Sequence, residues 1–195
     1  SRIFIVNDVR KDNPLSVAKA YAKLMLASGG GALGIFTAIQ RLRQFYPTIR
    51  DMLAEADIPL YAQHVDPMDT GTLIDLFRAQ ENSCLLGTDA VRDGVDVPGG
   101  SLRLLLFERV PWPRPTILHK ARREQFGGRS YDERMTRLKL KQAYGRLIRR
   151  RDDKGVFVMM DPMLPTRLLD AFPQGVEIVK APLEEVIAST KDFLK

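Results

Sequence analysis

The segment Gln142-Ala-Tyr-Gly145-Arg146-Leu-Ile-Arg149 has the residue types and the spacing to bind an anionic ligand. On a helix, these four numbered positions lie three, four and seven residues from the first and share one face. That face carries an amide, a glycine and two guanidinium groups, whose forked donors match the oxygens of a phosphate. A glycine inside a helix costs about 1 kcal/mol relative to alanine, so Gly145 indicates a close approach by another group. The alternative interpretation is a solvated basic helix face.

A second candidate segment runs from Gly87 to Gly99 and directly follows the apolar stretch Ser83–Leu86. It supplies a hydroxyl, several carboxylates and glycines, among them Thr88 and Asp96. Open α/β sheets bind their ligands beyond the carboxyl ends of the strands, which is where this segment is predicted to lie. A turn-rich connection without a ligand is the alternative interpretation.

Other patterns in the chain are weaker. Residues Gly29–Gly34 fit G-x-G-x-x-G, but the periodicity predicts a helix before them and a strand after them, the reverse of a dinucleotide site. The phosphate loop G-x-x-x-x-G-K-[ST] does not occur in the sequence. His64 and His119 stand alone, and Cys84 is the single cysteine, which excludes a disulfide framework and a cysteine zinc site. We therefore predict no metal site.

The positive charge is concentrated in one part of the sequence. Residues 114–154 contain fourteen Lys/Arg and five Asp/Glu, whereas the rest of the chain contains sixteen and nineteen. Such a segment favours phosphate-bearing partners, either nucleic acid or nucleotide. No stretch approaches the roughly 20 apolar residues of a membrane helix, and no signal segment opens the sequence, so we expect a cytoplasmic protein without a membrane contact.

The elements that must position these residues alternate between short strands and helices. With 195 residues and 45% hydrophobic side chains, the chain has the material for one domain with a real core. The patterns predict strands at 32–36, 58–62, 83–86, 102–107, 156–160 and 176–179, and helices at 14–28, from 39, and at 71–78, 131–151, 164–171 and 182–194. This alternation predicts an α/β domain with a mainly parallel central sheet and helices on both faces.

Taken together, the two candidate segments resemble motifs of superfamily 2 helicases. Gln142-x-x-Gly145-Arg146-x-x-Arg149 resembles motif VI, Gly87-Thr88 through Gly94-x-Asp96 resembles motif V, and Phe36-Thr37 resembles motif IV. The surrounding series is Gly-Val-Asp-Val-Pro-Gly, Pro-Trp-Pro-x-Pro, Gly-Arg-Leu-Ile-Arg and Asp-x-Gly-Val, in that order. This series, from about residue 15 to residue 175, is similar to the second motor domain of DinG/XPD-like DNA helicases.

The resemblance implies a RecA-like domain of the P-loop NTPase type that faces a first RecA-like domain. The first domain would hold ATP and Mg²⁺ with its phosphate loop. In many relatives that half also carries an iron–sulfur cluster, which would then lie only there. We expect this N-terminal domain to be absent from the chain, with residues 1–13 as a lead-in from it and residues 14–195 as the helicase C-terminal domain. The chain alone is then predicted to have no ATPase activity.

The resemblance also implies a role for each matching residue. Arg146 and Arg149 would reach the γ-phosphate, with Arg149 as the arginine finger. The remaining nucleotide-side residues would be Gln142, Gly145, Gly94 and Asp96. Single-stranded DNA would be contacted by Thr37 and Thr88 through its backbone, and by Arg92, which stands where the family usually has an aromatic residue.

Two further departures from the family pattern are present. The family usually shows Asp-x-Arg after motif VI, where this chain has Asp161-Pro162-Met163, and the loop after Trp112 has fewer prolines than usual. A degenerate member that does not hydrolyse ATP, or a standalone nucleic-acid-binding module, is therefore the alternative to a motor domain. An RNA helicase domain is a third interpretation, which the Val-Asp-Val-Pro-Gly and Pro-Trp-Pro context disfavours.

Overall fold

A sheet of seven parallel strands organises the described part of the chain. The computed structural model describes residues 1–94, 96–97 and 99–195. The strands are β1 (Arg2–Val6), β2 (Ala32–Ile35), β3 (Leu60–Ala62), β4 (Cys84–Gly87), β5 (Leu104–Phe107), β6 (Val156–Met159) and β7 (Ile178–Ala181). Their order across the sheet is β3-β4-β2-β5-β6-β1-β7, and every neighbouring pair is parallel.

Helices cover both faces of this sheet. They are α1 (Pro14–Ser28), α2 (Ile39–Ala54), α3 (Thr70–Ala79), α4 (Asp89–Gly94), α5 (Ile117–Phe126), α6 (Arg129–Leu147) and α7 (Leu183–Phe193), with 3-10 helices at Gly99–Ser101 and Thr166–Ala171. One apolar core lies under α1, α2 and α7, and the other under α3, α4 and α6. The central strands are buried along their whole length because both faces are covered, as their continuous apolar runs predict. The predicted α/β class is thus confirmed.

The first strand corrects the predicted domain boundary. Residues 1–13 were expected to lead into the domain, but β1 lies inside the sheet, where Ile3 pairs with Phe157 of β6 and Ile178 of β7. Ile3, Phe4 and Val6 are buried. Residues 2–6 are therefore part of this domain, and a boundary at residue 14 is wrong.

The glycines of the Gly29–Gly34 pattern serve the fold at the amino edge of the sheet. Gly29, Gly30 and Gly31 all have positive φ, which only glycine adopts without strain. A Cβ on Gly30 would overlap the backbone of Asn82, and one on Gly31 would overlap the guanidinium of Arg103. That guanidinium donates to several carbonyls here, including those of Ser28 at 3.0 Å and Glu81 at 2.9 Å. Gly29, Gly30 and Gly31 form the turn between α1 and β2. A helix precedes them and a strand follows, which is the reverse of the order in a dinucleotide-binding loop.

Several helical predictions differ from the structure: the segment after β4 contains α4, which was not predicted, and the helix predicted at 164–171 is a 3-10 helix. The basic helix was predicted over residues 131–151, but α6 ends at Leu147, and Ile148 is extended, with φ −117° and ψ 102°. Helix α5 was not predicted at all, because its residues are too polar to show a clear apolar stripe. Arg149 therefore does not share a helix face with Gln142, Gly145 and Arg146.

Candidate nucleotide and nucleic-acid interface

A sharp turn after α6 determines the position of Arg149. The carboxylate of Asp153 accepts hydrogen bonds from the backbone N–H groups of Arg149, at 2.9 Å, and Arg150, at 2.8 Å. These bonds favour the ionised carboxylate and lower the pKa of Asp153 from its ordinary value. An aspartate that satisfies local backbone donors in this way competes with helix continuation, which explains why the helix stops before Arg149.

Both arginines contact the segment that follows β4. The Arg149 guanidinium forms an ion pair with the carboxylate of Asp96. Arg146 donates from Nη2 to the backbone carbonyl of Asp93 at 3.2 Å. The structure therefore brings the two candidate segments of the sequence together, even though Arg149 lies beyond the end of the helix.

A cavity of about 480 Å³ lies between α4 and α6 beside these contacts. Its lining consists of Arg92, Asp93, Met135, Leu138, Lys139, Gln142, Gly145 and Arg146. A Cβ on Gly145 would meet no atom within 4 Å, so nothing inside the described domain requires a glycine there. Since glycine weakens a helix by about 1 kcal/mol, its presence at this open surface is typical of a position that an external group approaches closely.

Gly94 and Asp96 lie on the α4 side of this region. Gly94 is the last residue of α4, and a Cβ there would lie 3.2 Å from Cδ1 of Ile74, so close packing on α3 favours the glycine. Asp96 is exposed, with 66% of its side chain accessible, and is held by Arg149. The resemblance implies that Gly94 and Asp96 lie on the nucleotide side of the domain, and their contact with nucleotide stays a prediction.

Arg92 lies beside the residues predicted to bind nucleotide rather than beside those predicted to bind DNA. Its side chain is only 5% exposed and contacts two carboxylates: Nη2 lies 3.1 Å from Asp93 Oδ1, and Nη1 lies 3.3 Å from Asp89 Oδ1. The second contact is close enough for an ion pair but is poorly aligned, so Nη1 has no hydrogen bond among the described residues. Arg92 lines the same cavity as Gln142 and Arg146, and its predicted contact with DNA gains no support from this position.

Thr88 is committed to an internal network at the carboxyl edge of the sheet. Its backbone N–H and its hydroxyl both donate to Oε1 of Gln63, at 2.9 and 3.0 Å, and Gln63 in turn donates to the hydroxyl of Thr70 at 3.1 Å. Because a phosphate can only accept hydrogen bonds, the Thr88 hydroxyl would have to leave Gln63 to contact one. The role predicted for Thr88 therefore requires a rearrangement that the sequence did not indicate.

Thr37 is the most accessible of the predicted threonines. It follows β2 at the carboxyl edge and is half-buried. Its backbone carbonyl accepts a hydrogen bond from the guanidinium of Arg114, in the proline-rich loop after β5. This contact holds the Arg114 guanidinium next to Thr37 at the carboxyl edge of the sheet.

Two buried carboxylates at the same edge were not among the predicted site residues. Glu108, directly after β5, is fully buried and accepts a hydrogen bond from Arg41 Nε at 2.6 Å, with Arg109 Nε at 3.4 Å. Asp161, after β6, lies 3.4 Å from Lys11 Nζ and accepts from the backbone of Met163 at 3.0 Å. Each carboxylate ends an apolar strand, which was the available signal. Their effect is to hold cations along the carboxyl edge.

The described residues contain no group of three or more His, Cys, Asp or Glu side chains arranged to hold a metal ion. None of the described helices is both long enough and apolar enough to cross a membrane.

Comparison with family models and with curated proteins gives a consistent match. Residues 21–177 match the family described as helicase C-terminal domain. The chain is 37% identical over 152 residues to the ATP-dependent helicase DinG of Mycobacterium tuberculosis, an alignment that covers 74% of this chain and 22% of that protein. It is 29% identical over 176 residues to a Bacillus subtilis protein named 3'-5' exonuclease DinG, covering 82% of this chain and 19% of that protein. The chain thus spans about a fifth of the length of these relatives.

Solved structures share the same fold. Saccharomyces cerevisiae Dbp5 bound to RNA and ADP BeF3 superposes with a TM-score of 0.66 at 14% identity, covering 100% of this chain and 45% of that one. An apo XPD structure superposes with a TM-score of 0.64 at 16% identity, covering 92% of this chain and 40% of that one. At these identities the likeness concerns the fold, and it confirms the predicted RecA-like architecture.

Proposed function

The chain belongs to the helicase C-terminal domain family, and from this premise we propose that it is the second motor domain of an ATP-dependent DNA helicase. In this proposal the domain contributes an arginine pair to an ATP site and part of a groove for single-stranded DNA. The sequence has no phosphate loop, so an N-terminal RecA-like domain of the same protein would hold most of the ATP and Mg²⁺. Any iron–sulfur cluster would lie in that other half.

The observation that carries the proposal is the meeting of Arg146 and Arg149 with Asp93 and Asp96 next to the open surface at Gly145. Two guanidinium groups at one surface suit the three equatorial oxygens of a γ-phosphate in transfer. Arg149 is our choice for the arginine finger, with Gln142 and Gly94 beside the nucleotide.

The ion pair with Asp96 suggests how Arg149 could switch partners. In the structure, Asp96 pairs with the Arg149 guanidinium and orients it. Exposed ion pairs of this kind contribute about 0–1 kcal/mol, so a phosphate that offers charge-assisted, bidentate bonds can replace the carboxylate. ATP binding would then close the cleft between the domains, and hydrolysis would let Arg149 return to Asp96, which couples the chemistry to a population shift.

Single-stranded DNA is proposed to lie along the carboxyl edge of the sheet. Thr37 is accessible there, and the three cations Lys11, Arg41 and Arg109 exceed the two carboxylates that hold them, those of Asp161 and Glu108. Cations along an edge attract a nucleic-acid backbone without reading its sequence. Thr88 would join this groove only after its hydroxyl releases Gln63.

The decisive experiment measures ATP hydrolysis by the complete gene product with and without single-stranded DNA. Arg149→Ala should lower DNA-stimulated turnover by about 10³-fold or more, because arginine fingers contribute about 10³–10⁵ in rate. Arg151→Ala, which removes a cation two residues away, is the matched control and should retain most of the turnover. DNA affinity should be similar in all three proteins.

Two outcomes would contradict the proposal. DNA-stimulated ATP hydrolysis that persists in Arg149→Ala would show that Arg149 is not the arginine finger. A wild-type protein that binds DNA but hydrolyses no ATP would identify the alternative, a nucleic-acid-binding module, and the buried ion pairs of Arg92 would then be the departure to examine first.

A further inference from the structure

Helix α5 leaves much of its apolar surface outside the core, although the Phe126 ring lies 6.1 Å from that of Tyr131 in α6. It contributes no buried residue to the core. Ile117, Leu118 and Phe126 are 90%, 60% and 50% exposed. A helix of ten residues is marginal in water without packing of an apolar face, so exposed aliphatic groups on such a helix indicate a surface that a ligand covers.

Polar contacts nevertheless hold α5 in a defined place. The hydroxyl of Thr116 accepts from the backbone N–H of His119 at 3.0 Å and caps the helix start. Near the beginning of α6, the Asp132 carboxylate lies 3.0 Å from both His119 Nε2 and Arg123 Nε. The Arg114 guanidinium connects the preceding loop to the carbonyl of Thr37. The exposed side chains are therefore presented from a fixed position at the carboxyl edge, close to Thr37.

The charge of the α5 surface indicates what kind of ligand it binds. Residues 112–128 contain four Lys/Arg and one Glu. Arg123 is neutralised by Asp132, whereas Lys120 and Arg122 are exposed on the helix. Cations next to exposed apolar groups fit a polyanion that also has apolar faces.

We propose that α5 is a binding site for single-stranded nucleic acid, outside the groove proposed at Thr37 and continuous with it. Lys120 and Arg122 contact backbone phosphates, and Ile117 and Leu118 pack against the faces of unpaired bases. A duplex offers phosphates but keeps its base faces stacked, so it cannot use the apolar part of this surface. A protein partner would also cover the apolar groups, but the excess of positive charge favours the polyanion.

Equilibrium binding of oligothymidylate to the complete gene product tests this inference, with salt concentration as the variable. Lys120→Ala/Arg122→Ala should weaken binding about tenfold at low salt and reduce the slope of log affinity against log salt by about 1.4, because each single-strand phosphate contact contributes about 0.7. Ile117→Ala/Leu118→Ala should weaken binding about fivefold with an unchanged slope, since apolar contacts with bases release no counterions.

Matched controls lie on the opposite layer of helices. Lys19→Ala/Lys191→Ala removes two exposed cations from α1 and α7, and Leu15→Ala removes an apolar side chain that is 53% exposed on α1. Both should bind oligothymidylate like the wild type. With a duplex of equal length, the Ile117→Ala/Leu118→Ala protein should also match the wild type.

The outcomes separate this inference from the proposed function on which its ligand depends. If the wild type binds no nucleic acid, the proposed function fails. If the wild type binds oligothymidylate and both α5 variants bind equally well, the α5 site is overturned alone, and its apolar groups belong to a protein interface. An equal loss of single-strand and duplex binding in Ile117→Ala/Leu118→Ala would overturn the contact with bases.

Discussion

Two arginine–carboxylate pairs in this domain have the same chemistry and opposite surroundings. At the carboxyl edge, Arg41 holds Glu108, whose side chain is fully buried. Beyond the end of α6, Arg149 holds Asp96, whose side chain is 66% exposed. A buried pair cannot be broken without leaving a charge in the core, whereas an exposed pair can exchange its partner for another anion. The first pair therefore supports the fold, whereas the second pair is free to exchange its carboxylate for another anion, as the proposed switch requires.

The largest effect should come from breaking the buried pair. Arg41→Ala leaves Glu108 with only the more distant Arg109, and the free energy of unfolding should fall by about 3 kcal/mol, because an uncompensated buried charge is strongly destabilising. Denaturant unfolding of the domain measures this change. Arg50→Ala removes an exposed pair with Asp51 from the same helix and should change the unfolding free energy by less than about 0.5 kcal/mol. Equal losses in the two variants would refute the distinction.

A smaller effect of opposite sign is expected at Gly145. Because a Cβ there meets no atom within 4 Å, Gly145→Ala should raise the unfolding free energy by up to about 1 kcal/mol through helix propensity alone. The same methyl group would obstruct a ligand at this surface, so DNA-stimulated ATP hydrolysis by the complete gene product should fall. A more stable protein with undiminished turnover would show that no ligand approaches Gly145.

The smallest effect should come from the exposed pair. Asp96→Asn should change the unfolding free energy by less than about 0.5 kcal/mol. A double-mutant cycle with Arg149→Ala should give a coupling energy below about 1 kcal/mol in the absence of nucleotide. Coupling above about 2 kcal/mol would mean that the pair is structural and too strong to serve as a switch.

The parts of the fold that sequence could predict are those with continuous apolar runs. The stretches that became β2, β4, β5 and β6 each showed such a run, because buried parallel strands need apolar side chains on both faces. Strand β1 has the same character in Ile3–Val6 but was set aside, because nothing local shows that its partners lie more than 150 residues away.

The candidate site was predictable in its residue types but only partly in its geometry. The meeting of Arg149 with the segment around Asp96 agrees with the motifs, although the helix assumed to carry Arg149 ends before it. Thr88 donates a hydrogen bond to Gln63, which lies 25 residues away in the sequence. Arg92 forms ion pairs with its neighbours Asp89 and Asp93. Periodicity does not reveal such contacts, because it reports which positions are buried and not which polar groups meet.

The position of β1 also bears on how the domain reaches its native state. Ile3 pairs with Phe157 on one side and with Ile178 on the other, so among the described strands β7 joins the sheet through β1 alone. Contacts between such distant residues give a high contact order. Folding is slow because the chain loses the entropy of closing long loops before these contacts stabilise it. During synthesis, β1 stays an apolar strand without its partners until β6 has been made, so it is open to chaperone binding or mispairing in that interval.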